Sequence, residues 1–188
     1  MKSVLIKVLG LLAIMAVLLH ASSDRVSAQA RPSSKTNVAA VDPLGLAVQE
    51  PFNIQYEMKA GPVNSWVFRG HWWGGLTGGT GSGGTGTWGG PGLGGAYRFF
   101  VADSRALTGL SVAPAADLFF FNQSLVSGNG GTAIVLWIGG DIAYKWIFDQ
   151  FSIEPLVGLR IGYTPAANAP SKPTGGIATI GLYAGYAW

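Results

Sequence analysis

The sequence predicts an all-β protein, an eight-stranded antiparallel transmembrane β-barrel with up-and-down topology. Eight segments alternate large apolar residues with small or polar ones, and a period of two is typical of strands with two different faces. No segment offers the roughly 20 apolar residues that a membrane-spanning helix needs, since the longest run, 133–148, is broken at 139–141 and at Lys145. Low charge, many glycines and aromatics, and a positive mean hydropathy indicate contact with a membrane.

The eight predicted strands are short and separated by turn-rich connectors. The first contains Pro43, which strands tolerate only at edges and bulges. The sixth and seventh show the longest alternation, in which apolar residues such as Ile138 and Leu159 lie opposite charged ones such as Asp141 and Arg160. The predicted strands are 37–48, 52–59, 65–73, 95–102, 110–121, 132–148, 151–163 and 176–188.

The lengths of the connectors predict an orientation. An even number of strands is expected of single-chain bacterial barrels. With both termini on the periplasmic side, the inner turns are 60–64, 103–109 and 149–150. The outer connectors are 49–51, 74–94, 122–131 and 164–175. Three of the four outer connectors are long and all the inner ones are short, which is the asymmetry of such barrels.

The first 30 residues have the features of a secretory signal peptide. Lys2 and Lys7 precede an apolar core at 8–19, which is too short to remain as a membrane span. Residues 28–30 read Ala-Gln-Ala, a typical cleavage site. The mature chain is therefore predicted to begin at Arg31, with a flexible leader at 31–36 and the barrel at 37–188. An uncleaved membrane anchor is the alternative.

The charge and cysteine content exclude several functions. Cleavage removes three basic residues and one acid, which leaves nine basic and eight acidic side chains and a formal charge of +1. Nucleic-acid binding requires a basic face, and the mature chain has no basic run. Cysteine is absent, which excludes disulfides and thiolate chemistry. The sequence predicts no cofactor and no metal site.

Four stretches of the sequence resemble the small outer-membrane β-barrels that are common in Bacteroidota and their relatives. They lie at 42–57, 95–100, 139–148 and 181–188, and they read DPLGL with NIQYE, GAYRFF, GGDIAYKWIF and GLYAGYAW. The resemblance covers most of 42–188 and implies an eight-stranded barrel in the cell outer membrane, without implying an activity. The chain departs from the family in its glycine tract, which is less repetitive in relatives.

The last strand resembles the closing strand of such barrels. Counting back from the end, one apolar row consists of Trp188, Tyr186, Ala184, Leu182 and Ile180. In these barrels a terminal aromatic is read by the barrel-assembly machinery, so the resemblance assigns the assembly signal to Gly181, Tyr186 and Trp188. The other implied partners are outer-membrane lipid and lipopolysaccharide, and a monomer is expected.

Charged residues share the face that would point into the barrel. An ionised Arg or Lys on the lipid face costs about 2–4 kcal/mol near mid-bilayer, so their segregation indicates a polar lumen. Because acids and bases are balanced, we predict that they pair and fill the lumen; a narrow pore is the alternative. The predicted ion-pair network consists of Glu57, Arg69, Arg98, Asp117, Asp141, Lys145, Glu154 and Arg160.

His71 is the one histidine of the mature chain, and it raises the possibility of an enzyme that modifies envelope lipid. Such an enzyme needs a base beside a nucleophile. No neighbouring residue forms a recognisable histidine–serine motif, and Ser65 or Glu57 could approach His71 only through strand register. We therefore expect His71 to belong to the polar network of the lumen and the protein to be non-enzymatic.

The glycine tract contains a match to G-x-G-x-x-G at 81–86. A dinucleotide site needs a helix directly afterwards, and the following residues, 88–92, do not start one. The tract is therefore predicted to be a low-complexity surface loop at 74–94, with Trp88 at the barrel rim or the lipid interface.

Aromatic residues recur on the face opposite the charges. Membrane barrels place such residues at the two lipid interfaces. A soluble ligand-binding barrel would instead carry its apolar residues inside; the terminal aromatic and the family resemblance favour the membrane barrel. The predicted interface aromatics are Trp66, Trp72, Tyr97, Tyr144, Trp146, Tyr163, Tyr186 and Trp188.

Overall fold

The protein is described by a computed structural model, which covers residues 35–47, 52–80, 84–101, 106–125, 130–168 and 175–188. The predicted signal peptide and most of the predicted leader, 31–34, lie outside these residues. Within them, no helix is long and apolar enough to cross a membrane. The described residue Thr36 is tied to the strands, since its backbone N–H donates to the Trp188 carbonyl at 2.8 Å.

Eight antiparallel strands form one sheet whose hydrogen bonding closes into a ring, from each strand to the next and from the last to the first. The prediction of an all-β chain with eight antiparallel strands is confirmed. The strands are β1 (Asn37–Val41), β2 (Phe52–Lys59), β3 (Asn64–Thr80), β4 (Gly84–Phe100), β5 (Gly109–Leu125), β6 (Gly131–Phe148), β7 (Phe151–Asn168) and β8 (Gly175–Ala187). One short helix, α1 (Pro43–Ala47), follows β1.

The predicted first strand is wrong beyond Val41. Asp42 accepts hydrogen bonds at Oδ1 from the backbone N–H groups of Leu44 and Gly45, both at 3.1 Å. Asp is a favourable residue before a helix because its carboxylate satisfies such unpaired donors, and proline is tolerated at the first helical position. The chain therefore leaves the sheet after Val41 and forms α1 where a strand was predicted.

The predicted loop at 74–94 is also wrong over most of its length. β3 continues to Thr80 and β4 begins at Gly84, with the pairs Leu76–Trp88 and Thr80–Gly84 in the ladder. Glycine has a weak preference for strands, but pairing needs only backbone groups, and a partner strand supplies them here. The other long connectors shorten for the same reason, because β5 reaches Leu125 and β7 reaches Asn168. The residues that were predicted to form long outer connectors therefore belong mostly to strands that extend to the far end, and the connectors themselves are short.

The two ends of the ring differ. The near end carries Trp188 and the turns at 60–63 and 149–150, and the far end carries the connections after β3, β5 and β7. Side chains alternate between the inside and the outside, and the buried residues lie inside. An apolar cluster at the near end consists of Val38, Ala40, Leu107, Ala143, Leu156, Tyr183 and Ala187. Toward the far end lies the aromatic cluster of Trp73, Trp88, Phe119, Phe121, Ala133, Val135 and Trp137.

The strands are not paired over equal lengths. β8 pairs with β7 over twelve residues, from Tyr186 to Gly175. It pairs with β1 over four residues only, ending at Val41–Ala184. β2 pairs with β3 as far as Phe52–Trp72, after which β3 continues toward the far end without it. Among the described residues, the strand pairing is therefore continuous around the ring at the near end, and toward the far end β8 and β3 extend beyond their pairing with β1 and β2.

Candidate functional site

The ring interior between the two apolar clusters holds a buried ion-pair network in two groups. The first group lies toward the near end and joins two acids with two bases. Arg98 Nη1 lies 2.8 Å from Glu57 Oε2 and 2.7 Å from Glu154 Oε2. Lys145 Nζ lies 2.7 Å from Glu154 Oε2 and also contacts Glu57. Ser65 donates its hydroxyl to Glu57, so the carboxylates have partners on several sides.

Strand geometry brings this group together. Lys145 and Glu154 lie equally far from the two-residue turn at 149–150, and the β6–β7 register places them opposite each other. Asp149 has the left-handed backbone angle φ of 56° that such tight turns use. Glu57 and Arg98 both have the inward parity of their strands, β2 and β4, and their side chains meet inside the ring. The expected pairing of Lys145 with Glu154 is present.

The second group lies closer to the aromatic cluster. Asp141 accepts from Arg69 Nη2 and lies 2.7 Å from Arg160 Nη2. Arg160 Nε donates to Asp117 Oδ2 at 2.9 Å, and the other oxygen of Asp117 lies 3.0 Å from His71 Nε2. All eight side chains that the sequence assigned to the network are therefore buried and paired with one another.

Burial makes the pairing necessary. Moving an isolated ion from water into a protein interior costs several kcal/mol even after relaxation. Glu57 and Arg98 are 0% and 1% exposed, so hardly any of this cost is offset by water at their surfaces. Instead, the charges of the four acids are compensated by those of the four bases. Among the described residues, no cluster of three metal-ligating side chains is present.

His71 lies at the far-end limit of the network. Its Nδ1 lies 2.5 Å from Asn53 Oδ1, and its Nε2 faces Asp117. Both ring nitrogens are therefore engaged, and Phe119 packs beside the ring at a centroid distance of 5.1 Å. Ser65 and Glu57 belong to the first group, six and four residues along the strands from the level of His71, and they bond to each other. The structure does not bring the suggested nucleophile to His71.

Three functional features of the interior escaped the sequence analysis. Asp42 is buried and joins α1 to β8, since its Oδ1 accepts from the Leu182 N–H at 3.1 Å. Asn53 joins His71 to the network. The aromatic cluster was missed although strand parity could have revealed it, because Trp73 shares the face of His71, and Phe119 shares that of Asp117.

Trp88 corrects one specific expectation. It was expected at the rim or the lipid interface, but it is buried in the aromatic cluster, with its ring centroid 6.3 Å from that of Phe121. The tract around it forms a strand, and parity then turns Trp88 to the same side as Arg98.

The predicted interface aromatics all lie on the outer face. Trp66 and Tyr97 are neighbours, with ring centroids 4.5 Å apart, and Tyr144 and Trp146 form a similar pair at 4.5 Å. These four, with Tyr186 and Trp188, lie toward the near end, whereas Trp72 and Tyr163 lie toward the far end. Of the residues assigned to the assembly signal, Tyr186 and Trp188 point outward, and Gly181 faces Tyr183 and Asp42 inside.

A scan against protein-family models, a search of curated proteins and a search of solved structures each found no match.

Proposed function

We propose that this chain is an integral outer-membrane β-barrel protein with a filled, ion-paired lumen and no enzymatic activity. The observation that carries the proposal is the distribution of polarity. The buried residues include four acids and four bases that pair with one another, while large apolar side chains are exposed on the opposite face. Leu159 is 71% exposed and Ile161 is 73% exposed. Water would oppose this arrangement, whereas lipid outside the ring favours it.

The dimensions of the apolar surface support a membrane location. On the outer face, the apolar surface extends from Trp146 at the near end of β6 to the level of Tyr163 in β7. Tyr163 pairs with Leu136 of β6. Ten residues separate Trp146 from Leu136, or about 33 Å along a strand. At the tilt of about 40° that membrane barrels adopt, this length spans about 25 Å, which is the height of their apolar band.

The proposed role is structural or adhesive. The strands on the far side extend past this band, and their outward residues there are polar, for example Asn122, Ser124 and Asn168. A rigid projection of paired strands is suited to contact with lipopolysaccharide or other surface molecules. The barrel-assembly machinery would recognise Tyr186 and Trp188 at the end of β8 during biogenesis.

The two alternatives receive less support. An enzyme that uses His71 as a base would need a nucleophile beside it, and its described polar partners are Asn53 and Asp117. A pore would need an aqueous path, and the described interior holds three apolar clusters together with the paired charges. A closed barrel without catalysis accounts for both observations.

Heat modifiability tests the proposal. The full-length protein is expressed with its N-terminal segment, and the membrane and soluble fractions are compared by electrophoresis with and without boiling. We expect the protein in the outer-membrane fraction and a faster mobility before boiling, because closed backbone pairing resists detergent. A soluble protein whose mobility does not depend on boiling would refute the membrane barrel.

A further inference from the structure

His71 is held between two hydrogen-bond acceptors inside the ring. Its Nε2 lies 3.0 Å from Asp117 Oδ1, and its Nδ1 lies against Asn53 Oδ1. The second oxygen of Asp117 accepts from Nε of the permanently charged Arg160 at 2.9 Å, which favours the ionised carboxylate. A neutral imidazole carries one N–H group, whereas the imidazolium carries two. The two contacts of the ring therefore match its charged form.

The orientation of the Asn53 amide is fixed from its other side. Asn53 Nδ2 donates to Asp42 Oδ2 at 3.4 Å. The other oxygen of Asp42 accepts from three backbone N–H groups, two in α1 and one in β8. Rotating the amide by half a turn would place its oxygen against the Asp42 carboxylate and leave two acceptors facing each other. The amide oxygen therefore stays toward His71, and Nδ1 of the ring carries a proton.

The balance of buried charge supports the same protonation state. Each of the two groups of the network joins two acids with two bases and is neutral. Asp42 is a further buried acid, and no further lysine or arginine is buried in the described part of the chain. A second proton on His71 compensates this surplus negative charge. The ionisable side chains around the ring are Arg69 of β3 itself, Asp117 of β5, Asp141 of β6, Arg160 of β7, Tyr183 of β8 beside Arg69, and Asp42 behind the neutral Asn53 of β2, whereas β4 presents Gly94.

Loss of the second proton would leave two acceptors facing each other in every arrangement of these side chains. If the remaining proton is on Nδ1 of His71, the lone pair of Nε2 faces the Asp117 carboxylate. If it is on Nε2, the lone pair of Nδ1 faces the Asn53 oxygen, and rotation of the amide transfers the conflict to Asp42. A buried acceptor without a donor is costly, so the conflict is relieved when the side chains separate.

Asp42 connects this chain of side chains to α1. Its Oδ1 accepts from the N–H groups of Leu44 and Gly45 in the helix and from that of Leu182 in β8. α1 has five residues and packs against β8 and β2. A helix of this length is not stable in isolation, so its position depends on such contacts. Displacement of the Asp42 carboxylate would remove both the helix cap and the bond to β8.

We propose that His71 is a proton-binding site that acts as a pH-sensitive latch for α1. The second proton of the ring holds Asn53 and Asp42 in line and thereby keeps the helix attached to β8. When the pH rises, this proton passes to water, the line of hydrogen bonds breaks and α1 is released. The latch depends on the geometry of the described interior and not on the proposed membrane location.

Nitrogen-15 NMR of the histidine rings tests the protonation state in the full-length protein in detergent micelles. The chain contains a second histidine, His20, so the spectrum of His71→Gln identifies the signals of His71. We expect both ring nitrogens of His71 to be protonated at about pH 7, where an unperturbed histidine is mostly neutral. A His71 ring with one bare nitrogen at that pH would overturn the proposal, and this measurement on the unmodified protein does not require any variant to fold.

Amide hydrogen exchange tests the release of α1. The protection of the Leu44 and Gly45 N–H groups is followed as the pH is raised until the ring signals show the neutral form, with correction for the intrinsic exchange rate at each pH. We expect protection to fall by about tenfold, the effect of losing one hydrogen bond to a charged group. Unchanged protection while His71 loses its proton would overturn the latch.

Two asparagine variants test the path from the ring to the helix. Asn53→Ala removes the link between His71 and Asp42, so the protection of α1 should be low and should no longer follow the charge of the ring. Asn64→Ala is the matched control, because Asn64 donates to the Tyr97 hydroxyl, away from the latch, and it should retain the full response. The same pH response in both variants would show that Asn53 does not transmit the protonation of His71.

Discussion

Arg98 illustrates how individual residues maintain the interior, because one guanidinium contacts two carboxylates from different strands. Its Nη1 lies within 2.8 Å of Glu57 and of Glu154. A buried pair contributes little compared with an apolar replacement, but removing one partner leaves an uncompensated ion and costs about 3–5 kcal/mol. The network therefore favours the one strand arrangement in which every charge has a partner.

Lys145→Met should destabilise the folded protein by about 3–5 kcal/mol, because Glu57 and Glu154 would then share the single cation Arg98. Lys59→Met is the matched control, since Lys59 is exposed at the end of β2, and surface changes stay within about 0.5 kcal/mol. Urea unfolding in detergent micelles measures both variants. Equal midpoints for the two would contradict the buried pairing.

Gly94 makes room for the charged network. A Cβ atom there would clash with the Asp117 carboxylate and lie 2.8 Å from His71 Nε2, whereas a Cβ on Gly95 would lie 3.4 Å from the Val67 carbonyl oxygen. Gly94→Ala should therefore cost about 1–3 kcal/mol through overpacking and move the His71 imidazole resonances in NMR spectra. Gly95→Ala should do neither. If both variants behave alike, Asp117 does not hold His71 in this position.

Each strand of this fold is defined by the alternation of its side chains between two faces and by the backbone pairing along its edges. β6 and β7 have both, with Ile138 and Leu159 outside and Asp141 and Arg160 inside. Under the proposed function, the outer face of each strand contacts lipid. A charged residue placed there should therefore destabilise the whole strand in the membrane. The ends of the strands that project past the apolar surface should be insensitive to the same change.

Leu159→Arg should impair membrane assembly, because an Arg near mid-bilayer costs about 2–4 kcal/mol; Ile138→Arg should behave in the same way. Asn168→Arg at the projecting end of β7 is the control. The fraction of heat-modifiable protein in the membrane after expression measures the effect. Normal assembly of all three variants would mean that the outward face of β7 and β6 does not meet lipid.

The whole molecule is a ring whose interior is occupied along its length by an apolar layer, a charged layer and an aromatic layer. A ring of eight strands has an interior just wide enough for side chains. The layers on either side exclude water from the ions between them, which strengthens the ion pairs. Under the proposed function, this arrangement closes the path along the axis.

The purified protein should therefore carry no steady ion current in planar bilayers, in contrast to a porin inserted under the same conditions. Single-channel recording measures this, and insertion is verified by heat modifiability of the recovered protein. Reproducible unitary currents from inserted protein would replace the filled interior with a narrow pore.

The sequence by itself determined the number of strands, their faces and the identity of the buried charges. These properties depend on the period of two, which places Glu57, Arg98 and their partners on one side of each strand whatever the neighbouring strands do. The opposition of Lys145 and Glu154 was also predictable, because a two-residue turn sets the register of that hairpin.

Only the tertiary structure decided how far each strand extends and what its edges meet. The glycines after Trp73 have little preference for a strand, and they pair because β4 lies beside them. β1 stops at Val41 because Asp42 bonds to α1 and to β8, 140 residues away. Contacts of this range have no trace in local pattern, so the end of β1 and the partners of Asp42 emerge only when the strands are assembled.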